Sequence, residues 1–202
     1  MNGSQSAAGK RRRVGVLGLQ GDFQEHLEVL REIDVEPVDV RRPEHLEGVD
    51  ALIIPGGEST TISKLSDLYG LTEPIRERAR HGMPLWGTCA GAIFLATRVP
   101  GRPQTILSLM DMTVERNAFG RQVDSFEADL KVPKLGPAPF HAVFIRAPKI
   151  TEVGKGVNVL SRLDDGTIVA AQQGTLLATS FHPELTPDRR FHRYLVDLID
   201  RS

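Results

Sequence analysis

The chain has 202 residues, 40% of them hydrophobic, and a formal net charge of −1, which is typical of one globular domain. The balanced charge excludes a global field that would attract nucleic acid or an anionic membrane, so neither partner is expected. No run of roughly 18 apolar residues occurs, so no membrane span is predicted. The single cysteine excludes an internal disulfide and fits a reducing cytoplasm, where we expect the protein to act.

The first 12 residues differ in composition from the rest of the chain. They combine small and polar residues with a basic run at residues 10–13 and lack the apolar core of a secretory signal. We therefore predict a disordered, solvated tail over residues 1–12 and one domain over residues 13–202. A nuclear or nucleic-acid patch is the alternative interpretation of the basic run, but no aromatic residues lie nearby to support it.

Apolar strands alternate with helical segments in the first half of the chain. The pattern predicts strands over residues 14–19, over residues 51–54 and directly before Cys89, and helices over residues 24–32, 61–68 and 73–81. Asp22 is the predicted N-cap of the first helix, with Glu25 placed as in a capping box. Since continuous apolar strands followed by helices are typical of a parallel sheet, we predict an α/β fold with its site at the carboxyl ends of the strands.

After residue 105 the pattern changes to short strands separated by turns. Candidate strands cover residues 112–116, 126–130, 143–146, 157–160, 168–171 and 176–181. Their close spacing indicates antiparallel additions to the sheet in the C-terminal half. The last helix is predicted over residues 188–199, with Thr186 as its N-cap and Pro187 at the first helical position.

The cysteine lies between two glycines in the sequence Gly87-Thr88-Cys89-Ala90-Gly91. This is the G-x-nucleophile-x-G pattern of a nucleophile elbow, with Cys in place of Ser. The glycines leave room where a Cβ would clash, and the N-terminus of the following helix favours a thiolate. The alternative is an ordinary buried cysteine, which would be inert. Partner groups further along the chain favour the nucleophile.

A His-Pro-Glu sequence follows the last predicted strand. Pro183 favours an extended conformation at His182, in which His182 and Glu184 would point to the same side. A cysteine nucleophile needs such a base, and the base needs an orienting group. The other five histidines have no ligand-like spacing, and the early glycines do not form a dinucleotide motif. We therefore predict no metal and no cofactor.

A cysteine elbow followed by His-Pro-Glu near the C-terminus resembles the class I, triad-type glutamine amidotransferases. Within that class, the chain from about residue 13 onwards closely resembles the glutaminase subunits of pyridoxal 5′-phosphate synthase, the PdxT family. The stretches that carry the resemblance are residues 15–21 (GVLGLQG), 55–61 (PGGESTT), 114–127 (VERNAFGRQVDSFE), 144–148 (FIRAP) and 180–186 (SFHPELT). The stretch at 114–127 is the one that points to this member of the class.

The resemblance implies a flavodoxin-like fold and the hydrolysis of L-glutamine to L-glutamate and ammonia. Cys89 would attack the side-chain amide, with His182 as base and then acid and Glu184 as its orienting group. Ammonia would leave, and water would release glutamate from the γ-glutamyl thioester. The expected oxyanion donors are the backbone N–H groups of Gly57 and Ala90, since a tetrahedral oxyanion needs preorganised donors.

Carried over position by position, glutamine recognition involves six residues: Gly57, Glu58, Ser59, Arg116, Ile145 and Arg146. Arg116 would clamp the substrate carboxylate, and the alternative is a solvated strand arginine. For Arg146 we expect mainly backbone contacts. Glu58 has a second interpretation, as an acid that stabilises the N-terminus of the next helix. Gln20 is expected to face either the partner subunit or the oxyanion turn.

The resemblance also implies a partner. In the family, ammonia passes to a PdxS-type synthase subunit, a (β/α)8 barrel that makes pyridoxal 5′-phosphate from ribose 5-phosphate and glyceraldehyde 3-phosphate, within a large hetero-oligomer. The glutaminase is expected to be nearly inactive alone and to be activated when it docks onto the synthase subunit. A change in the Gly56-Gly57 turn is the expected physical basis, because glycines make such a change least costly.

Three other functions remain open at this stage. A glutaminase that feeds an imidazole glycerol phosphate or purine precursor would share the triad but not the stretch at residues 116–127. A non-catalytic scaffold subunit on the same fold is disfavoured by the complete triad. An esterase on an α/β-hydrolase scaffold is disfavoured because there the acid precedes the base, whereas here His182 precedes Glu184.

Overall fold

The computed structural model describes residues 11–101, 103–116 and 125–201. The strands of these residues are β1 Arg13–Leu17, β2 Glu36–Val40, β3 Ala51–Ile54, β4 Leu85–Thr88, β5 Ala96–Arg98, β6 Met110–Glu115, β7 Ser125–Leu130, β8 Phe140–Ile145, β9 Lys149–Val153, β10 Asn158–Arg162, β11 Ile168–Gln173 and β12 Leu176–Thr179. The α-helices are α1 Phe23–Glu32, α2 Ser59–Leu68, α3 Thr72–Arg80, α4 Ala90–Leu95 and α5 Arg190–Ile199.

One large sheet organises the described chain. Its strand order is β2-β1-β3-β4-β12-β11-β9-β6-β5, and β10 pairs with β11. The pairs from β2 to β12 are parallel, whereas β9, β10 and β11 join through antiparallel pairs. A separate antiparallel hairpin is formed by β7 and β8. The predicted mostly parallel α/β sheet with antiparallel additions in the C-terminal half is thus confirmed.

Helices cover both faces of the parallel strands, and this explains why those strands are apolar without alternation. In β3, Leu52 and Ile54 belong to the buried cluster that includes residues of α2, α3 and α4. The alternate residues Ala51 and Ile53 belong to the cluster that includes residues of α1 and α5. Each side chain of the strand is therefore buried, and full burial of a Leu or Ile stabilises the fold by about 1.5–3 kcal/mol.

Several boundaries differ from the sequence-based prediction. Strands β2, β5 and β9 were not predicted, because all three mix polar with apolar residues and are only partly buried. Helix α5 begins at Arg190, so the predicted cap at Thr186 is wrong, and the Thr186 hydroxyl instead donates to the Pro183 carbonyl at 3.2 Å. Asp22 does stand at the N-cap position of α1, but its side chain makes no capping hydrogen bond.

Residues 1–10 of the predicted tail lie outside the described residues. Arg11 and Arg12 are described, and the Arg12 carbonyl accepts a hydrogen bond from the Glu36 N–H at 2.9 Å. Arg11 forms an exposed ion pair with Asp34 at 2.9 Å. None of the described helices combines the length and the apolar character needed to cross a membrane.

Candidate active site

The cysteine stands at a sharp turn between β4 and α4. Its backbone has φ 47° and ψ −107°, values that residues with a side chain rarely adopt. The Cys89 N–H donates to the Thr179 carbonyl of β12 at 2.8 Å, and the Cys89 carbonyl accepts from the Ala92 N–H at 3.1 Å. These contacts hold a strained residue at the carboxyl end of a central strand, where functional residues commonly lie.

Both glycines of the elbow are required by close packing. A Cβ on Gly87 would lie 2.4 Å from the Gly91 carbonyl oxygen. A Cβ on Gly91 would lie 2.0 Å from the carbonyl oxygen of Ile54 in β3. The predicted need for glycine on either side of Cys89 is therefore confirmed, because any side chain would displace the backbone of the turn.

His182 and Glu184 follow β12 and meet beside the elbow. Nδ1 of His182 lies 2.7 Å from Oε1 of Glu184, and the imidazole lines the same cavity as the Cys89 side chain. The His182 N–H donates to the Val143 carbonyl at 2.9 Å, which fixes the backbone. The two side chains meet through a 3-10 turn at Pro183–Leu185 and not through the predicted extended segment. The structure thus brings the three predicted catalytic residues together.

A second carboxylate, which sequence reasoning missed, also contacts the histidine. Oδ2 of Asp22 lies 3.2 Å from Nδ1 of His182. Burial by itself lowers the pKa of His182, but hydrogen bonds with Asp22, Cys89 and Glu184 outweigh it and raise that pKa to about 12. The hydrogen bond with His182 in turn holds the pKa of Asp22 below its usual value, against a smaller opposing effect of burial. His182 is therefore an imidazolium at neutral pH.

The ligand-type atoms of Asp22, His182 and Glu184 lie within 4.8 Å of one another, as in some metal sites. Both carboxylates contact the same nitrogen, Nδ1 of His182, at 3.2 and 2.7 Å. A nitrogen that carries a proton cannot also bind a metal ion. The arrangement is explained by one N–H that two carboxylates share, and the absence of a metal stays a prediction.

The Gly56-Gly57 turn after β3 is held by the loop between β1 and α1. The Asp22 N–H donates to the Gly56 carbonyl at 3.2 Å, and the Glu58 N–H donates to Oε1 of Gln20 at 2.7 Å. Gly57 has φ 147°, and a Cβ on Gly21 would lie 1.7 Å from the Gly56 oxygen. The Gln20 side chain therefore contacts the Gly56-Gly57 turn, which is one of the two orientations expected for it.

A cavity of about 410 Å³ opens above the sulfur. Of the predicted site residues, all but the buried Glu184 line it: Gly57, Glu58, Ser59, Cys89, Ala90, Arg116, Ile145, Arg146 and His182. Asp22, Ile93 and Pro148 also line it and were not predicted. Asp22 directly follows the stretch at residues 15–21, and its interpretation as a helix cap concealed its place in the site.

An ion pair forms one wall of the cavity. Nη2 of Arg116 lies 3.1 Å from Oε1 of Glu58. Oε2 of Glu58 accepts from the Thr61 N–H at 2.7 Å, and the carboxylate thereby caps α2. Burial raises the pKa of Glu58, but hydrogen bonds from Thr60 and Thr61 outweigh it and lower that pKa to about 2. Glu58 is therefore both a helix cap and an anion at the cavity.

The opposite wall presents backbone from the end of β8. The Ile145 carbonyl oxygen lies 3.9 Å from the Cys89 sulfur. Arg146, the next residue, has φ 44°, a left-handed conformation that is uncommon for a residue with a side chain. Such strain is often retained at functional sites. The expectation that this segment provides backbone contacts to glutamine stays a prediction.

A cysteine elbow and a His-Glu pair at the carboxyl edge of a mostly parallel α/β sheet define the class I glutamine amidotransferases. The chain belongs to the SNO glutamine amidotransferase family, which matches residues 16–201. A solved structure described as a glutamine amidotransferase is 54% identical, with a TM-score of 0.88 over 93% of this chain and 98% of that chain. A putative GMP synthase subunit from Thermoplasma acidophilum, 17% identical with a TM-score of 0.67, shares the fold alone.

Curated relatives narrow the family further. The pyridoxal 5′-phosphate synthase subunit PdxT of Roseiflexus sp. (strain RS-1) is 60% identical over 185 residues, 91% of this chain and 98% of the relative. The PdxT of Herpetosiphon aurantiacus is 61% identical over 190 residues, 92% of this chain and 99% of the relative. These matches confirm the predicted family, the predicted fold class and the predicted function of a PdxT-type glutamine amidotransferase.

Proposed function

We propose that this chain hydrolyses L-glutamine to L-glutamate and ammonia through a Cys89–His182–Glu184 triad. It delivers the ammonia to a synthase subunit that makes pyridoxal 5′-phosphate. The observation that carries the proposal is the convergence of the three side chains at the cavity: Cys89 and His182 both line it, and Nδ1 of His182 lies 2.7 Å from the buried Glu184.

The raised pKa of His182, about 12, assigns the proton to the imidazole before the reaction begins. A cation beside a cysteine sulfur favours the thiolate, which is the nucleophilic form. The sulfur attacks the amide carbon of glutamine, and His182 then gives its proton to the departing ammonia. Neutral His182 next takes a proton from water, whose oxygen attacks the thioester and releases glutamate. That proton stays on His182 and restores the resting pair with the Cys89 thiolate.

Backbone donors stabilise the tetrahedral oxyanion. Ala90 is the first residue of α4, where the N–H groups have no partner within the helix. Gly57 belongs to a turn that lines the same cavity. Because each preorganised donor is worth about 3 kcal/mol of barrier, the exact conformation of this turn controls the rate.

The cavity suits the head group of an amino acid. Its volume of about 410 Å³ lies within the range of small-molecule sites. Glu58 and Arg116 present opposite charges 3.1 Å apart, and a zwitterion carries a carboxylate and an ammonium with the complementary arrangement. Arg116 holds the substrate carboxylate, Glu58 and the Ile145 carbonyl face the ammonium, and Ser59 and Arg146 complete the walls.

The partner is a PdxS-type (β/α)8 barrel that uses ribose 5-phosphate and glyceraldehyde 3-phosphate within a large hetero-oligomer. The names of the curated relatives support a synthase partner. Two apolar side chains beside the site, Ile145 and Leu185, are 41% and 44% exposed and suit a docking face. The lone cysteine supports action in the cytoplasm, and docking acts by changing the Gly56-Gly57 turn.

The experiment that tests the function measures glutamate release from L-glutamine by the purified chain, with and without the synthase subunit. Cys89→Ala removes the nucleophile, and Ser161→Ala removes a buried hydroxyl of β10 as a matched control. We expect strong release only with the partner, retained in S161A and abolished in C89A. Glutamate release that is the same with and without the synthase subunit would contradict the proposed pathway. An assembled complex that releases no glutamate would favour a non-catalytic scaffold.

A further inference from the structure

Behind the triad lies a pair of buried histidines that no sequence motif predicts. His26 of α1 and His192 of α5 are fully buried, and Nδ1 of His26 lies 2.9 Å from Nε2 of His192. Nε2 of His26 lies 3.3 Å from Oε2 of Glu184, the carboxylate oxygen that does not contact His182. A continuous line of polar side chains therefore runs from the sulfur into the protein interior.

Oε2 of Glu184 is buried and makes no well-aligned hydrogen bond within the described part of the chain. Nε2 of His26 hydrogen-bonds Oγ1 of Thr88 at 3.3 Å, and Oε2 of Glu184 lies at the same distance from it. One N–H shared between two acceptors gives two long contacts in place of one short contact. A buried carboxylate oxygen without a donor is costly, so this shared donor matters for the placement of Glu184.

The chemistry of the pair determines where its protons lie. Burial lowers the pKa of His26 and of His192, so both rings are neutral and each carries one N–H. If His26 were protonated at Nδ1, its Nε2 lone pair would face the Glu184 carboxylate. In the favourable arrangement, His26 carries its proton on Nε2. His192 also carries its proton on Nε2 and donates it to Nδ1 of His26.

Surrounding groups hold the two rings in place. The Trp86 ring contacts His26 at a centroid distance of 5.7 Å and His192 at 4.9 Å, both edge to face. Trp86 belongs to β4, the strand that leads into the elbow. The other charged groups that act on the pair are Asp22, Glu25, His182 and Arg189.

We propose that His26 is a positioning residue of the triad, which donates its Nε2–H to Glu184, and that His192 fixes the tautomer that allows this donation. The inference rests on the proposed glutaminase activity and deepens it. His26 keeps the Glu184 carboxylate oriented, and Glu184 in turn holds the His182 imidazolium toward the sulfur. Neither histidine touches glutamine.

The test compares two substitutions at residue 26 in the complex with the synthase subunit. His26→Leu removes the donor, whereas His26→Gln carries an amide N–H to about the position of Nε2. For H26L we expect kcat to fall about 10- to 100-fold with KM changed less than about twofold, since a hydrogen bond to a charged group is lost. For H26Q we expect kcat within about fivefold of the unmodified chain. His81→Leu, at the exposed C-cap histidine of α3, is the control.

The pH profile separates positioning from mere packing. Loss of the donor weakens the contact of Glu184 that helps to raise the pKa of His182, so the alkaline limb of kcat/KM in H26L moves to lower pH, and in H26Q it returns. The same comparison at residue 192, His192→Leu against His192→Gln, is expected to give a smaller loss with the same rescue. If H26L does not fold, the comparison of His192→Leu with His192→Gln tests the inference instead.

An H26L complex with unchanged kcat and unchanged pH profile would overturn the inference. So would an H26Q complex that binds the partner and melts normally yet is as slow as H26L. Failure of the unmodified complex to release glutamate would instead contradict the proposed function, so the two failures are distinguishable.

Discussion

Oδ2 of Asp22 lies 3.2 Å from Nδ1 of His182, on the nitrogen that Glu184 also contacts. The backbone N–H of Asp22 donates to the Gly56 carbonyl at 3.2 Å. One residue at the start of α1 therefore connects His182 to the Gly56-Gly57 turn. A change in this turn on docking would also change the surroundings of the histidine, which gives the predicted activation a physical route.

Asp22→Asn is expected to lower the pKa of His182, because one of the anions that raise it is removed. A raised histidine pKa stabilises the imidazolium, and that form is lost as pH rises through the folded-state pKa. The alkaline limb of kcat/KM in D22N should therefore move to lower pH, by about 1 unit or less for a partly exposed carboxylate. The measurement is the pH profile of glutamate release by the complex.

Asp39→Asn is the matched control for that profile, since Asp39 has a similar exposure but pairs with Arg41 away from the sulfur. Its profile should coincide with that of the unmodified complex. An alkaline limb that stays in place in D22N would show that Asp22 does not act on His182.

Arg116→Met is expected to raise KM for glutamine about 10- to 100-fold with a much smaller effect on kcat. In the role that we propose, the guanidinium would bind the substrate carboxylate in the ground state and the transition state alike, so its loss would weaken both equally. Steady-state kinetics of the complex measures the two constants. Arg98→Met breaks a comparable surface ion pair, Arg98 to Asp111 at 2.9 Å, and should leave KM unchanged. A drop in kcat at constant KM would contradict this role of Arg116.

Gly91→Ala is expected to abolish activity and lower the free energy of unfolding by about 1–3 kcal/mol. Its Cβ would lie 2.0 Å from the Ile54 carbonyl oxygen, so the elbow must move away from β3. Gly156→Ala is the control, because its Cβ meets only Gln173 at an ordinary 3.6 Å. Denaturant unfolding and glutamate release are the measurements, and a fully active G91A would contradict the packing described for the elbow.

Glu58→Ala is expected to lower the thermal midpoint at neutral pH, because the side chain caps α2; such a cap is worth about 1 kcal/mol. The pKa of Glu58 is lowered from 4.5 to about 2, so the stabilisation is complete above pH 4.5 and is lost as pH falls toward 2. The difference in midpoint between the two chains should therefore shrink over that range. A difference that stays constant with pH would indicate a role for the side chain other than charge.

The sequence predicted the elements whose signals are local. Strands β1, β3 and β4 are continuous apolar runs buried on both faces, and the elbow is a motif with its own steric requirement. Strand β2, with the sequence EPVDV, was missed because it contains polar residues and is not a continuous apolar run. Such residues are tolerated there because the strand lies at the edge of the sheet and is only partly buried. Helix α5 begins later than predicted. The Thr186 hydroxyl donates to the Pro183 carbonyl and does not cap the helix.

The contacts that long-range packing creates could not be predicted. His26 and His192 are 166 residues apart, and each lies on an otherwise ordinary amphipathic helix. Asp22 had a sufficient local interpretation as a helix cap, which hid its contact with His182. The orientation of Gln20 depends on how two loops from different strands meet. In each case only the tertiary structure identifies the partner.

The central claim is that Cys89 is the nucleophile that His182 and Glu184 activate. The most direct measurement treats the complex with a chloroketone analogue of glutamine, locates the label by mass spectrometry, and compares glutamate release by the unmodified and C89A complexes. We expect the label on Cys89 alone, and a C89A complex that assembles normally but releases no glutamate. A label on another residue, or glutamate release that survives in C89A, would contradict the claim.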